Sequence, residues 1–227
     1  MTTIRLAGVE VPRVGLGTNR LTDAPAHVDF VRAAVEAGVR HIDTAHLYTD
    51  GASERAIGAA VDAARDDLVV ATKGGYKGAA PEVLRAEIEQ SLRSLQTERI
   101  ALYYLHRVGS DTPLETSLET IKAYVDRGAI GAVGISEVGV AEIERARQVL
   151  PIAAVQNRYN LADRSHDDVV DHCEREGIVF VPYFPLRGEG ANRDKLAWLL
   201  GRSAAVAPIP GTLSIEHLRE NLGALAS

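Results

Sequence analysis

The 227-residue chain has little cysteine and no long apolar run, and each shortage excludes a class of protein. Its single cysteine, Cys173, excludes an internal disulfide and provides no metal-ligand spacing, as is typical of a reducing compartment. No stretch approaches the roughly 18 apolar residues of a membrane span, and the first residues lack a basic segment followed by an apolar one. The sequence therefore predicts a cytoplasmic protein without a metal site and without a membrane-spanning segment.

The charge pattern lacks blocks of one sign. The formal net charge of −6 is spread along the chain, so neither nucleic acid nor an anionic membrane is an implied partner. With 46% hydrophobic and 25% charged residues, the composition is that of a globular protein with a sizeable core. No linker rich in serine or proline divides the chain, and we expect one domain over residues 1–227 that exists as a monomer.

Eight short apolar runs alternate with stretches of helical periodicity. The apolar runs begin at Val14, Arg40, Leu68, Ile100, Ile130, Ile152, Ile178 and Ala205. Helices are predicted over residues 25–37, 53–64, 81–95, 113–127, 140–150, 165–176, 192–200 and 214–226. Several have proline or serine near the start and glycine just after the end, which are the usual helix boundaries.

This alternation predicts an α/β fold, a (β/α)8 TIM barrel preceded by an N-terminal β-hairpin. The runs are apolar without polar alternation, as in strands of a parallel sheet covered on both faces. The hairpin is expected to turn at Ala7 and Gly8 and to plug one end of the barrel. An open doubly wound sheet is the alternative, but Gly15 and Gly17 are not followed by the third glycine of a dinucleotide-binding loop.

In such a barrel the active site lies at the carboxyl ends of the strands, so polar residues there are informative. Asp43 ends the second run and Tyr48 follows it, Lys73 ends the third run, and His106 ends the fourth. Adjacent strands bring these four side chains, here called the tetrad, to one place. Other polar or small residues at strand ends are Thr18, Asn19, Ser136, Glu137, Gln156, Asn157, Tyr183, Gly211 and Thr212.

The tetrad suits protonation of an oxygen on which negative charge develops, as when hydride attacks a carbonyl. An ammonium beside a phenol favours the phenolate, which makes Tyr48 a usable proton donor. Lys73 is the candidate ammonium, held by Asp43, and His106 is placed to orient a carbonyl oxygen. Each residue also has a structural explanation: a buried ion pair for Asp43 and Lys73, a satisfied polar side chain for His106, and a packed rim aromatic for Tyr48.

The motifs in this order resemble those of the aldo-keto reductase family of NAD(P)H-dependent barrel oxidoreductases, over nearly the whole chain. The matching segments are DTAHLY, ATKGG, LYYLHR, GAIGAVGISE, VQNRYN and IPGTLSIEHLREN. The resemblance implies that Tyr48 is the general acid, that Lys73 and Asp43 tune its acidity, and that His106 orients the substrate. It implies carboxamide contacts by Ser136 and Gln156, and stacking of the nicotinamide on Tyr183.

The same resemblance implies a larger set of cofactor-binding residues along the strand ends and the last helix. These residues are Gly17, Thr18, Asp43, Ser136, Glu137, Gln156, Tyr183, Phe184, Pro185, Leu186, Ile209, Gly211, Thr212, His217, Glu220 and Asn221. Thr212 is expected beside the adenosine phosphate, where a helix N-terminus favours anions, and Glu220 and Asn221 are expected at the adenine.

The chain departs from the family at several positions. Glu137 stands where many members have asparagine, and Gly211 and His217 stand where many NADPH-preferring members have lysine and arginine. Arg219 lies nearby and could take the place of that cationic clamp. By the habit of the family, NADPH is the expected cofactor, and NADH is the alternative. The segments after Lys73 and Leu186 are short for the family, which predicts an open cofactor site with weak nucleotide binding and fast release.

A small carbonyl compound is the expected substrate, and two other functions stay open. Lys73 is a Schiff-base nucleophile in an aldolase-like barrel if it is desolvated and neutral. Alternatively, the chain is a cofactor-binding barrel that has lost turnover. The rim residues Asn19, Leu47, Tyr76 and Arg107 define no recognisable substrate pocket by sequence alone.

Overall fold

The computed structural model describes residues 2–109 and 111–226, and it begins with the predicted hairpin. Strands β1 (Thr3–Leu6) and β2 (Val9–Pro12) are antiparallel. Ala7 and Gly8 form the turn with positive φ angles of 49° and 84°, the conformation that matches the twist of a two-residue hairpin. Leu6 and Val11 are fully buried and pack on residues near the beginnings of the barrel strands, so the hairpin closes that end of the barrel.

In the described part of the chain, seven parallel strands follow one another around a curled sheet in sequence order. They are β3 (Leu16–Gly17), β4 (His41–Asp43), β5 (Val69–Gly74), β6 (Ile100–Leu105), β7 (Ile130–Ser136), β8 (Ile152–Gln156) and β9 (Val179–Phe180). The neighbouring pairs are all parallel, with Asp43 beside Ala71 and Lys73 beside Tyr104, and the register between β7 and β8 shifts between Val133 and Gly134. Consecutive strand ends therefore point to the same rim.

The predicted eighth strand closes the barrel through isolated bridges rather than a continuous ladder. Val206 pairs with Phe180 of β9, and Gly211 pairs with Gly17 of β3, both in parallel. Gly15 and Gly17 donate their backbone N–H groups to the carbonyl oxygens of Pro208 and Pro210, at 2.9 and 3.2 Å. Proline has no N–H, so Pro208 and Pro210 accept hydrogen bonds in this seam but cannot donate any. The (β/α)8 barrel is confirmed.

Among the described residues, eight helices surround the sheet. They are α1 (Pro25–Glu36), α2 (Ala52–Ala60), α3 (Pro81–Ser94), α4 (Leu114–Asp126), α5 (Val140–Arg147), α6 (Asp167–Glu176), α7 (Asn192–Arg202) and α8 (Ile215–Gly223). Short 3-10 helices cover Tyr48–Gly51 and Ala224–Ala226. Helix α2 ends four residues before the predicted position, because Val61 adopts an extended conformation. No helix among the described residues is both long and apolar enough to cross a membrane.

The apolar core has two parts, as expected of a barrel. The larger part lies between the sheet and the helices, and the smaller part fills the barrel interior. Gly134 makes room inside the barrel for the ring of Tyr104, because a Cβ atom at Gly134 would collide with that ring. Small residues of this kind let one large side chain occupy the interior beneath the polar rim.

Candidate active site

Adjacent strand ends bring the tetrad together. Asp43 is the last residue of β4, Lys73 is near the end of β5, and His106 follows β6 directly. Tyr48 begins the 3-10 helix that comes after β4, which turns its phenol back toward the strand ends. The arrangement expected from the sequence is present, and it depends only on sequential parallel strands.

A buried ion pair forms the centre of the tetrad. The Lys73 side chain has no exposed surface, and its Nζ atom donates to Asp43 Oδ1 and to the Thr44 carbonyl oxygen, both at 2.6 Å. The same Nζ atom lies 3.4 Å from the Tyr48 hydroxyl and 4.9 Å from the centre of its ring. Burial lowers the pKa of Lys73, but the nearby Asp43 and Tyr48 outweigh burial, so that the pKa is raised. The amine is therefore held as an ammonium against the phenol.

Both oxygens of the Asp43 carboxylate are used. Oδ1 accepts from Lys73, and Oδ2 accepts from the Gln156 amide nitrogen at 2.8 Å. Gln156 is the last residue of β8, so this bond crosses the mouth of the barrel. It fixes the carboxylate, and therefore fixes the ammonium that contacts Tyr48.

The backbone after Tyr48 is unusual. Thr49 and Asp50 have φ angles of 49° and 53°, in the left-handed region that L-residues other than asparagine and aspartate rarely adopt. Thr49 Oγ1 donates to the Leu21 carbonyl oxygen at 2.5 Å and accepts from the Ser53 N–H at 3.1 Å. These bonds keep the turn, and with it the phenol, in place.

A buried hydroxyl cluster lies under the same turn. Ser53 Oγ is 2.9 Å from Thr18 Oγ1 and 2.7 Å from Thr44 Oγ1, and the Thr18 hydroxyl donates to the Asp43 carbonyl oxygen at 2.8 Å. Thr18 was expected to bind cofactor, and here its hydroxyl supports the backbone of β4. Sequence reasoning missed Ser53, because a serine at the start of a predicted helix indicates a helix boundary and carries no signal of a tertiary contact.

His106 contributes a neutral imidazole. Burial, followed by the charges of Lys73 and Arg107, lowers the pKa of His106 to about 2. Its ring lies 6.2 Å from the Tyr48 ring in an edge-on arrangement, and 4.9 Å from the ring of Tyr76. No described residue bonds to the buried His106 Nδ1 atom. A neutral ring of this kind can orient a carbonyl oxygen without competing with Tyr48 as the acid.

A cavity of about 710 Å³ opens above the tetrad, within the size range of ligand sites. Most of the predicted cofactor residues line it. They are Gly17, Thr18, Asp43, Ser136, Gln156, Tyr183, Phe184, Pro185, Leu186, Ile209 and Gly211. The four predicted rim residues line it as well, and so do Arg20 and Arg187, which the sequence analysis did not single out.

Five predicted cofactor residues do not line this cavity. Glu137 has a positive φ of 58°, and its Oε1 atom accepts from the Arg158 N–H at 2.8 Å. Thr212 Oγ1 accepts from the Ser214 N–H at 3.0 Å, so its hydroxyl helps to begin α8. The other three residues lie on α8 itself, outside the barrel mouth: His217, Glu220 and Asn221.

The charge state of the amine bears on the Schiff-base alternative. A Schiff-base lysine must be a neutral nucleophile, whereas Lys73 is paired at 2.6 Å with a carboxylate and its pKa is raised. The described residues contain no group of three histidine, cysteine, aspartate or glutamate side chains that could hold a metal ion. The base of the cavity therefore contains the Asp43 carboxylate, the Lys73 ammonium, the Tyr48 phenol and the neutral His106 imidazole.

Comparison with known proteins identifies the family. The model of the aldo/keto reductase family matches residues 13–195. An uncharacterised oxidoreductase of Schizosaccharomyces pombe is 32% identical over 98% of this chain and 84% of its own length. Pyridoxine 4-dehydrogenase of Escherichia coli is 30% identical over 98% of this chain and 92% of its own length.

Solved structures agree with the sequence relatives. A thermostable aldo-keto reductase in complex with the inhibitor epalrestat superposes with a TM-score of 0.91 at 30% identity, over 100% of this chain and 95% of the other. An aldo/keto reductase of Klebsiella pneumoniae in complex with NADP and acetate gives 0.89 at 29% identity, over 100% and 90%. The chain is a member of the aldo-keto reductase family.

Proposed function

We propose that this protein reduces an aldehyde or ketone to an alcohol with a reduced nicotinamide cofactor, and that Tyr48 is the general acid. The observation that carries the proposal is the buried Lys73 ammonium, which lies 2.6 Å from Asp43 Oδ1 and 3.4 Å from the Tyr48 hydroxyl. Such an ammonium stabilises negative charge on the phenol oxygen as its proton leaves. The family of the chain supports the same reaction class.

Each residue of the tetrad has a separate role in this reaction. When bound, a reduced nicotinamide supplies the hydride that adds to the carbonyl carbon. Tyr48 donates its hydroxyl proton to the carbonyl oxygen, and Lys73 stabilises the resulting phenolate. Neutral His106 orients the carbonyl oxygen, because burial and the charges of Lys73 and Arg107 lower its pKa to about 2 and keep it uncharged at neutral pH. Asp43 keeps Lys73 charged and in place.

The rim residues fit a nicotinamide cofactor. Ser136, Gln156 and Tyr183 line the cavity beside the tetrad and present a hydroxyl, an amide and an aromatic ring. These groups would hold the carboxamide and stack on the ring. NADPH is the proposed cofactor, supported by the Klebsiella pneumoniae relatives in complex with NADP or NADPH. NADH is the weaker candidate, and oxidation of both by an aldehyde panel separates them.

The test is the Tyr48→Phe variant, which removes only the acidic hydroxyl. We expect carbonyl reduction to fall at least about a hundredfold, because general acid catalysis of this kind contributes that much. NADPH binding, followed by fluorescence titration, should remain close to that of the wild type. The assay follows loss of nicotinamide absorbance with an aldehyde panel.

Tyr124→Phe is the matched control. Its hydroxyl lies on α4, 3.5 Å from the Arg85 carbonyl oxygen and away from the tetrad, so turnover should be unchanged. Unchanged turnover in Tyr48→Phe would contradict the proposed acid. Wild-type protein that binds NADPH and reduces no carbonyl compound would instead support the barrel that has lost turnover.

A further inference from the structure

The wall of the cavity is positively charged, although the chain has a net charge of −6. Its charged lining residues are Arg20, Arg107, Arg187 and Asp43. Asp43 is already paired with the buried Lys73. None of the ion pairs between described residues includes any of these three arginines. Three guanidinium groups thus face a space that contains no free carboxylate from the described part of the chain.

Two of the arginines lie at segments proposed for the cofactor. Arg20 Nη2 donates to the Gly211 carbonyl oxygen at 3.3 Å, and the Arg187 guanidinium lies 5.6 Å from the Phe184 ring centre. Gly211 and Phe184 both belong to the proposed cofactor set. The phosphates of a bound nucleotide would therefore pair with these two guanidinium groups.

Arg107 has a different position, directly after His106. Its Nη1 atom donates to the His106 carbonyl oxygen at 2.7 Å and lies 3.4 Å from Ser136 Oγ. Its guanidinium lies 5.2 Å from the centre of the Tyr76 ring, which in turn is 4.9 Å from the His106 ring. Guanidinium, phenol and imidazole therefore lie side by side in the lining of the cavity, with the Tyr76 and His106 rings edge-on.

The Glu137 carboxylate forms no ion pair with Arg107 among the described residues. Glu137 accepts a hydrogen bond from the Arg158 N–H, and it acts on the Tyr183 phenol together with Arg107. Burial, followed by Glu137, raises the pKa of Tyr183 to about 12, while Arg107 acts in the opposite direction. A neutral phenol therefore separates the two charges.

We propose that Arg107, held against Tyr76, binds a carboxylate on the substrate, so that the preferred substrates are short aldehyde acids or keto acids. A guanidinium binds a carboxylate through two parallel hydrogen bonds, and stacking on an aromatic ring orients it for this purpose. A carbonyl oxygen between Tyr48 and His106 places a carboxylate at Arg107 when a short carbon chain joins the two groups. The carboxylate takes no part in hydride or proton transfer. This inference rests on the proposed carbonyl reduction.

The test compares 4-oxobutanoate with its methyl ester, which has the same aldehyde and the same chain without the negative charge. We expect the wild type to prefer the acid at least about tenfold in kcat/KM, chiefly through KM. Arg107→Gln should lose that preference, so that the ratio of kcat/KM for the acid to kcat/KM for the ester falls to about one. Arg107→Lys, which keeps the charge but not the planar fork, should give an intermediate preference.

Arg93→Gln is the matched control. Arg93 lies on α3, and among the described residues its side chain forms a hydrogen bond only to the exposed Gln90 side chain. This variant should keep the wild-type preference. Equal or faster reduction of the ester by the wild type overturns the inference and leaves the proposed function intact. A loss of NADPH binding in Arg107→Gln, or an equal loss for both substrates, assigns Arg107 to the cofactor and also overturns it. Failure of the wild type to reduce either aldehyde overturns the proposed function itself.

Discussion

Two histidines of this protein, His41 and His106, are buried as neutral rings. His41 lies on β4 two residues before Asp43, has no exposed surface, and neither of its ring nitrogens has a hydrogen-bond partner among described residues. Burial lowers the pKa of His41 to about 4, against 6.5 for an ordinary histidine, with Asp43 and Lys73 acting in opposite directions. The same cause lowers the pKa of His106. Both rings are therefore neutral in the folded protein at neutral pH.

The pH dependence of stability follows from His41. Between pH 6.5 and about 4, His41 is protonated in the unfolded chain and neutral in the folded chain. The contribution of His41 to stability is therefore complete above pH 6.5 and falls as the pH is lowered. From pH 7 to pH 5, this residue should cost about 2 kcal/mol of unfolding free energy. Urea unfolding at the two pH values measures the loss.

His41→Leu supplies the control for that measurement. Leucine has no proton to bind, and the substitution sacrifices no hydrogen bond to a described residue. The difference in unfolding free energy between pH 7 and pH 5 should shrink by about 2 kcal/mol in this variant. His106 contributes in the same direction and leaves a residual slope. A variant that keeps the full wild-type slope would show that His41 does not cause it.

At the scale of elements, backbone conformation decides where helices end. Gly177 follows α6 with a φ of 68°, the left-handed conformation that closes a helix at low cost only for glycine. Gly201 lies inside α7 with helical backbone. A Cβ atom would meet nothing within 4 Å at either glycine. The two positions therefore differ in backbone conformation and hardly at all in packing.

This pair of glycines gives opposite predictions for one substitution. Gly177→Ala should destabilise the protein by about 1 kcal/mol, because alanine is strained in the left-handed region. Gly201→Ala should stabilise it by about 0.5–1 kcal/mol, because alanine loses less backbone entropy in a helix. Thermal or urea unfolding of both variants checks the signs. A shift of the same sign in both would mean that local backbone preference does not govern these positions.

At the scale of the whole molecule, one buried arginine holds the seam of the barrel. Arg13 follows the hairpin and is 4% exposed. Its Nε atom donates to the Val206 carbonyl oxygen at 2.9 Å, and its Nη2 atom donates to the Leu200 carbonyl oxygen at 3.0 Å and to that of Ser203. Arg13 thus caps the end of α7 and fastens the closing segment to the beginning of the barrel.

Arg13→Met should therefore destabilise the fold strongly. It leaves two buried carbonyl oxygens and one part-buried carbonyl oxygen without these donors, and the loss should be about 3 kcal/mol or more in urea unfolding. Arg5→Met in the same hairpin is the control. Among the described residues, the Arg5 side chain donates only to the Gly8 carbonyl oxygen, at the exposed surface. The unfolding free energy of Arg5→Met should therefore fall by no more than about 0.5 kcal/mol. Similar losses in both variants would mean that the seam does not depend on Arg13.

The sequence predicted what local pattern encodes. Apolar periodicity located the hairpin, the strands and the helices, and strand-end positions located the tetrad. The bonds of Arg13 were not predictable, because its partner Val206 is 193 residues away and no local period reports such a contact. The left-handed backbone at Thr49 was not predictable either, because it depends on a hydroxyl bond to Leu21.

The predicted cofactor-binding residues also differ in whether a local sequence pattern located them. Residues at strand ends, such as Ser136 and Gln156, line the cavity as the barrel requires. Glu220 and Asn221 were expected from resemblance alone, and they lie on α8 outside the cavity, so their adenine contacts stay predictions. The monomeric state and the cytoplasmic location also stay predictions.

The closing segment of the barrel has a consequence for biosynthesis. Val206 and Gly211, which bridge the two edges of the sheet, are added to the chain after all the strands from β3 to β9. Until these residues pair, a nascent sheet presents two unpaired edges, and such edges template association with other chains. We therefore expect the nascent chain to be more prone to aggregation than the closed barrel.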